Sequence, residues 1–170
     1  MKLGTILRDG EVVLIARLTD TEAVALAEAY AAAGLGAAPQ SMRALIAGGA
    51  AELERAAKAV AAAQKAAARI ALGGADWRPP ITDPSKVIGV AMNNKGIRKE
   101  AHKEPTVPSY FLKPPSCLLG HGKKVVVLPS YGETIPELEL AAVIGRRAKN
   151  VPVEKALDYV FGYTIVDDVT

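Results

Sequence analysis

The stretch that decides the fold of this chain is Pro136-Glu137-Leu138-Glu139-Leu140-Ala141-Ala142-Val143-Ile144-Gly145, an apolar run that begins with two acids. Apolar and β-branched residues in a run of this length are typical of a β-strand. Because side chains alternate between the two faces of a strand, Glu137 and Glu139 are expected to project to the same face. Two carboxylates held side by side in an apolar segment repel each other, so this face needs a positive partner.

A second apolar segment, from Tyr159 to Asp168, ends in a third acid. If the two segments are neighbouring strands, Glu137, Glu139 and Asp168 form a facial set of oxygen ligands for a hard divalent cation. Two acids spaced by one residue are also common on solvated strand faces, and a solvated face is the alternative explanation. Other segments of the chain decide between a metal site and a solvated strand face.

Four separate segments together resemble the fumarylacetoacetate hydrolase family. Residues 86–93, KVIGVAMN, are similar to the strand that leads into the family's G-x-N-Y turn. Residues 108–116, PSYFLKPPS, resemble its P-x-x-F-x-K-P-x-S segment. Residues 136–145 and 162–170 then supply E-L-E-L-x-x-V-I-G and G-Y-T-x-x-D-D-V-T. The resemblance covers the chain from about Lys86 to Thr170, with the motifs in the family's order.

The resemblance implies a metal-dependent enzyme. Carried over position by position, it makes Glu137, Glu139 and Asp168 the ligands of Mg²⁺ or Mn²⁺. It also places Lys113 near the pocket, where the ammonium could offset the acids or meet a substrate carboxylate; the alternative is a surface lysine at a strand end. Asp167 stands where most family members carry Asn. The usual family assembly is a homodimer.

The segment between Asn93 and Pro108 departs from the family pattern, N-Y-x-x-H-x-x-E, whose His–Glu pair is thought to activate water on a mobile lid. Asn94 stands at the tyrosine position and Ile97 at the histidine position, whereas Glu100 matches the glutamate. A mobile loop could bring His102 to Glu100 and form a general base. If the segment is helical, the two side chains point apart, and the lid is then a charged, solvated one without a catalytic histidine. Both interpretations stay open.

Composition argues against several other classes of protein. The formal net charge of +3 is mild, and no basic stripe with interleaved aromatics supports nucleic-acid binding. The only cysteine, Cys117, cannot form an internal disulfide and is typical of a reducing compartment. No run approaches the roughly 18 consecutive apolar residues of a membrane span, and no signal peptide is recognisable. We therefore expect a cytoplasmic protein that binds neither membrane nor nucleic acid.

The chain is expected to divide near residue 80. Residues 1–80 predict a small α/β module with a linker, and residues 81–170 predict the first part of a β-rich catalytic domain. The fold class expected is α+β: the module, then a mixed β-sandwich roll similar to the family's C-terminal domain. The family domain continues past D-V-T, so we expect the chain to be incomplete at its C-terminus. The individual elements predicted are a hairpin over 3–18 with a turn at Asp9-Gly10, helices over 19–33, 41–47 and 52–72, and β-segments at 86–91, 124–129, 137–144 and 159–167.

The implied metal site suggests the chemistry. Three monodentate carboxylates leave about three of six octahedral positions open for the carboxylate and keto oxygens of a 2-oxo acid. The cation then stabilises the enolate that forms when a C–C bond breaks. Our first choice is hydrolysis of a 2,4-dioxo acid of the acylpyruvate or fumarylacetoacetate type. The alternatives are a dehydratase, lyase, isomerase or decarboxylase acting on a 2-oxo acid, and a non-catalytic fragment or structural homologue.

Overall fold

The structure is a computed structural model that describes residues 1–66, 68–100 and 106–170. Among its described residues, the first part of the chain forms a five-stranded antiparallel sheet in the order β4-β3-β2-β1-β5, with three helices. Its elements are β1 (Leu3–Arg8), β2 (Glu11–Arg17), β3 (Glu22–Ala25), α1 (Leu26–Ala32), α2 (Met42–Ala47), α3 (Gly49–Ala66), β4 (Ile70–Ala71) and β5 (Asp76–Trp77).

The rest of the chain forms two separate antiparallel ribbons, β6 with β7 and β8 with β9. Its elements are β6 (Val87–Ala91), α4 (Lys95–Glu100), β7 (Ser109–Lys113), β8 (Leu138–Ile144) and β9 (Val160–Asp167), with short 3₁₀ segments at Pro115–Cys117, Pro129–Tyr131 and Val153–Tyr159. In the ranges that the structure describes, no helix is long and apolar enough to cross a membrane.

The hairpin predicted at the N-terminus is confirmed. Arg8 pairs with Glu11, and the two residues between them, Asp9 and Gly10, both have positive φ, 53° and 83°. A two-residue turn with this geometry matches the right-handed twist of the flanking strands, and Asp-Gly is a favoured sequence for it.

The hydrophobic core lies between the five-stranded sheet and the helices. Its largest fully buried side chains are Tyr30, Leu26, Leu45 and Val24, whereas Ile15 belongs to a smaller cluster with Ile6 and Ala23. Helix α3 covers this core with a stripe of fully buried or nearly fully buried alanines, Ala56, Ala59 and Ala63, at helical spacing. Small side chains at these positions allow the helix to pack closely on the elements beneath it.

The predicted helix over 19–33 is wrong in its first seven residues. Residues Glu22–Ala25 form β3 instead, pairing with the end of β2, and helix α1 begins only at Leu26. Val24 is fully buried there, so cross-strand pairing and burial outweigh the helix propensity of the surrounding alanines.

The predicted helix over 52–72 also runs too far. Helix α3 ends at Ala66, and Ile70–Ala71 form the edge strand β4 beside β3. Arg69 supports this ending, because its guanidinium lies 2.8 Å from the Glu22 carboxylate and donates to the carbonyl of Gln64 at 2.9 Å. The strand depends on a partner distant in sequence, which local helix propensity cannot reveal.

Among the predicted β-segments, those at 86–91, 137–144 and 159–167 are confirmed as β6, β8 and β9. The segment at 124–129 is not a strand; Val126 in it is 77% exposed and pairs with no strand in the part of the chain that the structure describes. β-branched residues favour a strand only where a neighbouring strand accepts them. Strand β7 was not predicted, although it pairs with β6 along its whole length.

Several contacts join the sheet module to the later segments. Thr5 donates to the carbonyl of Pro80 at 2.8 Å, and Val143 and Phe161 pack against the main core. Lys123 lies 2.6 Å from Asp76, and its hydrogen bond holds the pKa of that carboxyl below its usual range. The contacts of Val143, Phe161 and Lys123 cross residue 80. The division into 1–80 and 81–170 stays a prediction.

Candidate metal centre

Strand register places the three predicted ligands on one face of the β8–β9 ribbon. Leu138 pairs with Asp167, so Glu137 stands opposite Asp168 one position further along. The backbone confirms this pairing, because the amide of Asp168 donates to the carbonyl of Glu137 at 2.8 Å. Side chains directly opposite each other share a face, and Glu139 shares it with Glu137 through the two-residue period.

The ladder continues beyond both strands. Ile135 and Thr170 exchange two backbone hydrogen bonds, of 2.8 and 3.0 Å. Glu137 and Asp168 therefore lie inside a hydrogen-bonded ladder and not at its frayed end. Thr170 also donates through Oγ1 to Oε2 of Glu137 at 3.1 Å. This contact was not predicted from the sequence, since only the register brings residue 170 to residue 137.

The two faces of the ribbon have different surroundings. On the acid face Glu137 and Asp168 are half-buried, while Glu139 is exposed. The opposite face is open to solvent and, apart from Asp167 opposite Leu138, mostly apolar. Its members Leu138, Leu140, Ile144, Tyr163 and Ile165 are 57–82% exposed. The acids thus occupy the more enclosed side, where charge needs compensation.

Lys113, predicted to lie near the pocket, reaches Asp168. It is the last residue of β7, and its ammonium forms an ion pair with the Asp168 carboxylate. The same Nζ donates to the carbonyl of Val169 at 2.9 Å. The lysine and aspartate side chains are 29% and 16% exposed, so the pair is largely shielded from water. The fold therefore joins two of the predicted site residues from different ribbons.

Within the described ranges, no group of three or more acidic, histidine or cysteine side chains is gathered closely enough to hold a metal ion. The described arrangement pairs Asp168 with an ammonium instead. The donor set nevertheless fits Mg²⁺ or Mn²⁺ in its chemistry, because Glu137, Glu139 and Asp168 offer only carboxylate oxygens from one ribbon face. Convergence of the three on one ion stays a prediction.

The predicted general base falls at the edge of the described structure. Glu100 is the last residue of helix α4, and His102 lies outside the described residues. The helix begins after Asn94, whose Oδ1 accepts from the amide of Gly96 at 2.8 Å. Met92 turns the chain out of β6 with a φ of 57°, a conformation unusual for a side chain of this size. Pairing between Glu100 and His102 stays untested.

An open cavity of about 460 Å³ lies elsewhere, between Leu72–Trp77 and the turn at His121–Lys123. It contains none of the predicted site residues. The acid face of β8–β9 is therefore a better candidate for chemistry, because it combines three carboxylates with a shielded cation.

Comparison with known proteins identifies the family of the second half of the chain. Residues 86–170, half of the chain, match the family model described as fumarylacetoacetate (FAA) hydrolase C-terminal. An uncharacterised protein of Pyrococcus abyssi is 49% identical over 89 residues, which are 51% of this chain and 39% of that protein. One of Staphylococcus aureus strain USA300 is 33% identical over 125 residues, 69% of this chain and 41% of that protein. The chain thus spans about two fifths of the length of these relatives.

Solved structures share the fold. The maleylpyruvate hydrolase from Sphingobium sp. SYK-6, in complex with manganese(II) and pyruvate, has a TM-score of 0.74 and 30% identity. The likeness covers 99% of this chain and 58% of that one. The fumarylacetoacetate hydrolase from Exiguobacterium antarcticum, at 22% identity and a TM-score of 0.70, shows the same fold. The expected α+β class, with its likeness to this family's C-terminal domain, is confirmed.

Proposed function

The chain belongs to the fumarylacetoacetate hydrolase family, and on this premise we propose that it forms the metal-binding part of a hydrolase that cleaves a C–C bond in a 2,4-dioxo acid. The family supports hydrolase chemistry with a divalent metal, since a 30% identical relative is a maleylpyruvate hydrolase solved with Mn²⁺. The substrate class, an acylpyruvate or a related dioxo acid, is our proposal.

The observation that carries the proposal is the cross-strand pairing of Glu137 with Asp168, with Glu139 on the same face. Carboxylates so placed repel one another, and a hard cation relieves this repulsion.

In the proposed mechanism Glu137, Glu139 and Asp168 hold the cation. When bound, Mg²⁺ or Mn²⁺ supplies Lewis-acid polarisation of the substrate's oxygens. The Lys113 ammonium, which lies beside Asp168, is proposed to pair with a substrate carboxylate once the cation is bound. His102, with Glu100 as the carboxylate that raises its proton affinity, is proposed to take the proton from the attacking water.

A second candidate chemistry follows from Ile97, which stands at the family's usual histidine position. The absence of that histidine favours reactions that need no hydrolytic water over hydrolysis. These are dehydration, decarboxylation, isomerisation or lyase cleavage of a 2-oxo acid. Two assays separate these chemistries: acylpyruvate hydrolysis is measured as the loss of the diketone's ultraviolet absorbance, and decarboxylation is measured with oxaloacetate as the substrate.

We further propose a cytoplasmic homodimer, to be checked by sedimentation.

The test is a calorimetric titration with Mn²⁺, with and without oxalate as a mimic of a 2-oxo enolate. We expect the wild-type chain to bind Mn²⁺, oxalate to tighten binding, and Glu137→Gln to lose it. Glu133→Gln is the control, because Glu133 is an exposed acid outside the ribbon face. A wild-type chain that ignores Mn²⁺ even with oxalate would mean that these acids are structural and that the proposed function is wrong.

A further inference from the structure

Lys113 and Asp168 come from different ribbons, yet they form an ion pair within the proposed metal site. Lys113 ends β7, and Asp168 follows the last residue of β9. The ammonium has a second hydrogen bond, to the carbonyl of Val169 at 2.9 Å. Two contacts with neighbouring residues of one segment hold the ammonium at the carboxylate more firmly than a single surface ion pair would.

The limited exposure of the pair explains why a cation is needed there. The Asp168 side chain is only 16% exposed, and a shielded carboxylate without a positive partner is strongly unfavourable. An ammonium and a divalent cation seek the same carboxylate oxygens and repel each other at contact distance. The ammonium contacts Oδ1 of Asp168, and that oxygen cannot be shared with a divalent cation at ligand distance.

We propose that Lys113 is the counter-ion of Asp168 in the metal-free protein, and that a divalent cation binds by displacing its ammonium from that carboxylate. This inference rests on the proposed metal site. The Lys113 ammonium competes with the metal ion for Asp168. The affinity for the metal is therefore lower than the three carboxylates alone would provide.

Displacement also determines the order of binding. While Lys113 is paired with Asp168, its charge is neutralised and unavailable to a ligand. Once the cation occupies Asp168, the ammonium is released on a flexible four-carbon stem at the edge of the site. A 2-oxo acid then meets both the cation and a free ammonium for its carboxylate. The metal must therefore bind first and the organic anion second.

The test compares Mn²⁺ affinity in the wild-type chain, Lys113→Met and Lys123→Met by calorimetry. Lys123→Met is a matched control, because Lys123 also forms a lysine–aspartate pair, with Asp76, outside the site. We expect Lys113→Met to bind Mn²⁺ roughly tenfold more tightly, since no ammonium has to leave. Lys123→Met should bind as the wild type does.

A second measurement is made on the wild-type chain and uses a variant only to assign one resonance. Reductive methylation with ¹³C-formaldehyde labels lysine ammonium groups while keeping their charge. The Lys113 resonance is the one that is missing from the spectrum of Lys113→Met. If that variant does not fold, Lys113→Arg serves for the same assignment. Titration with Mg²⁺, which is diamagnetic, should shift the Lys113 signal and leave that of Lys123 unchanged. Oxalate should shift the Lys113 signal only after Mg²⁺ has been added.

The outcomes distinguish this inference from the proposed function. If the wild type binds Mn²⁺ but Lys113→Met binds equally or more weakly, or if the Lys113 signal is unmoved at saturating Mg²⁺, the displacement is wrong and the metal site stands. If neither protein binds Mn²⁺, the proposed metal site fails, and the displacement fails with it.

Discussion

Tyr30 combines full burial with a hydrogen bond to a charged partner. Its hydroxyl donates to Oε1 of Glu52 at 2.5 Å, and Arg55 pairs with the same carboxylate at 2.6 Å. Burial, followed by the hydrogen bond to Glu52, raises the pKa of Tyr30 from 10.0 to about 12. The neutral phenol is therefore the form that the folded state favours.

Tyr30→Phe is expected to lower the free energy of unfolding by about 1–2 kcal/mol near neutral pH, because Glu52 loses its donor. The folded pKa is raised, so the wild-type advantage is complete below pH 10 and declines as pH rises through about 12. Urea unfolding at several pH values from 7 to 12 measures this. A wild-type advantage that grows above pH 10 would contradict the assignment.

At the same scale, the sequence identified the acids of the candidate site through a two-residue period and a specific motif. It could not show that Lys113 pairs with Asp168 or that Thr170 donates to Glu137, since both contacts join segments distant along the chain. The role of His102 was left open by the sequence, and the described residues do not test it.

At the scale of the element, the β6–β7 ribbon depends on a glycine. Gly89 pairs with Phe111, and a Cβ added at Gly89 would lie 2.0 Å from the tip of the phenylalanine ring. The ring thus occupies the space above the glycine, a close approach that stabilises glycine-containing strand pairs.

Gly89→Ala is therefore expected to displace Phe111 and to cost about 1–3 kcal/mol. Gly162→Ala is the control, because Gly162 also lies in a strand and its added Cβ would meet no atom within 4 Å. Chemical denaturation of both variants measures the difference. Equal costs would show that strand propensity, and not the contact with Phe111, explains the glycine.

At the scale of the whole molecule, the outer face of the β8–β9 ribbon is a continuous apolar surface. Leu140 and Ile165 are a cross-strand pair at its centre, and each is 71% exposed. Exposed apolar surface of this kind favours association. The chain also spans only about two fifths of the length of the relatives that it matches.

We expect the average mass of the chain in sedimentation to rise with concentration, and the double variant Leu140→Lys/Ile165→Lys to stay monomeric. Val153→Lys is the control, because Val153 is 90% exposed but lies in a 3₁₀ segment away from this face. Association that persists in the double variant would place the contact on another surface.

The sequence by itself determined the features that depend on local order: the Asp9-Gly10 hairpin, strands β6, β8 and β9, and the acids at 137, 139 and 168. Turn chemistry and side-chain alternation depend on residues that are near neighbours along the chain, so both can be recognised in the sequence. Only the tertiary structure decided β3, β4 and β7, and the irregular path over 124–129. A strand forms where a distant partner offers its hydrogen bonds, and the position of that partner is a property of the whole fold.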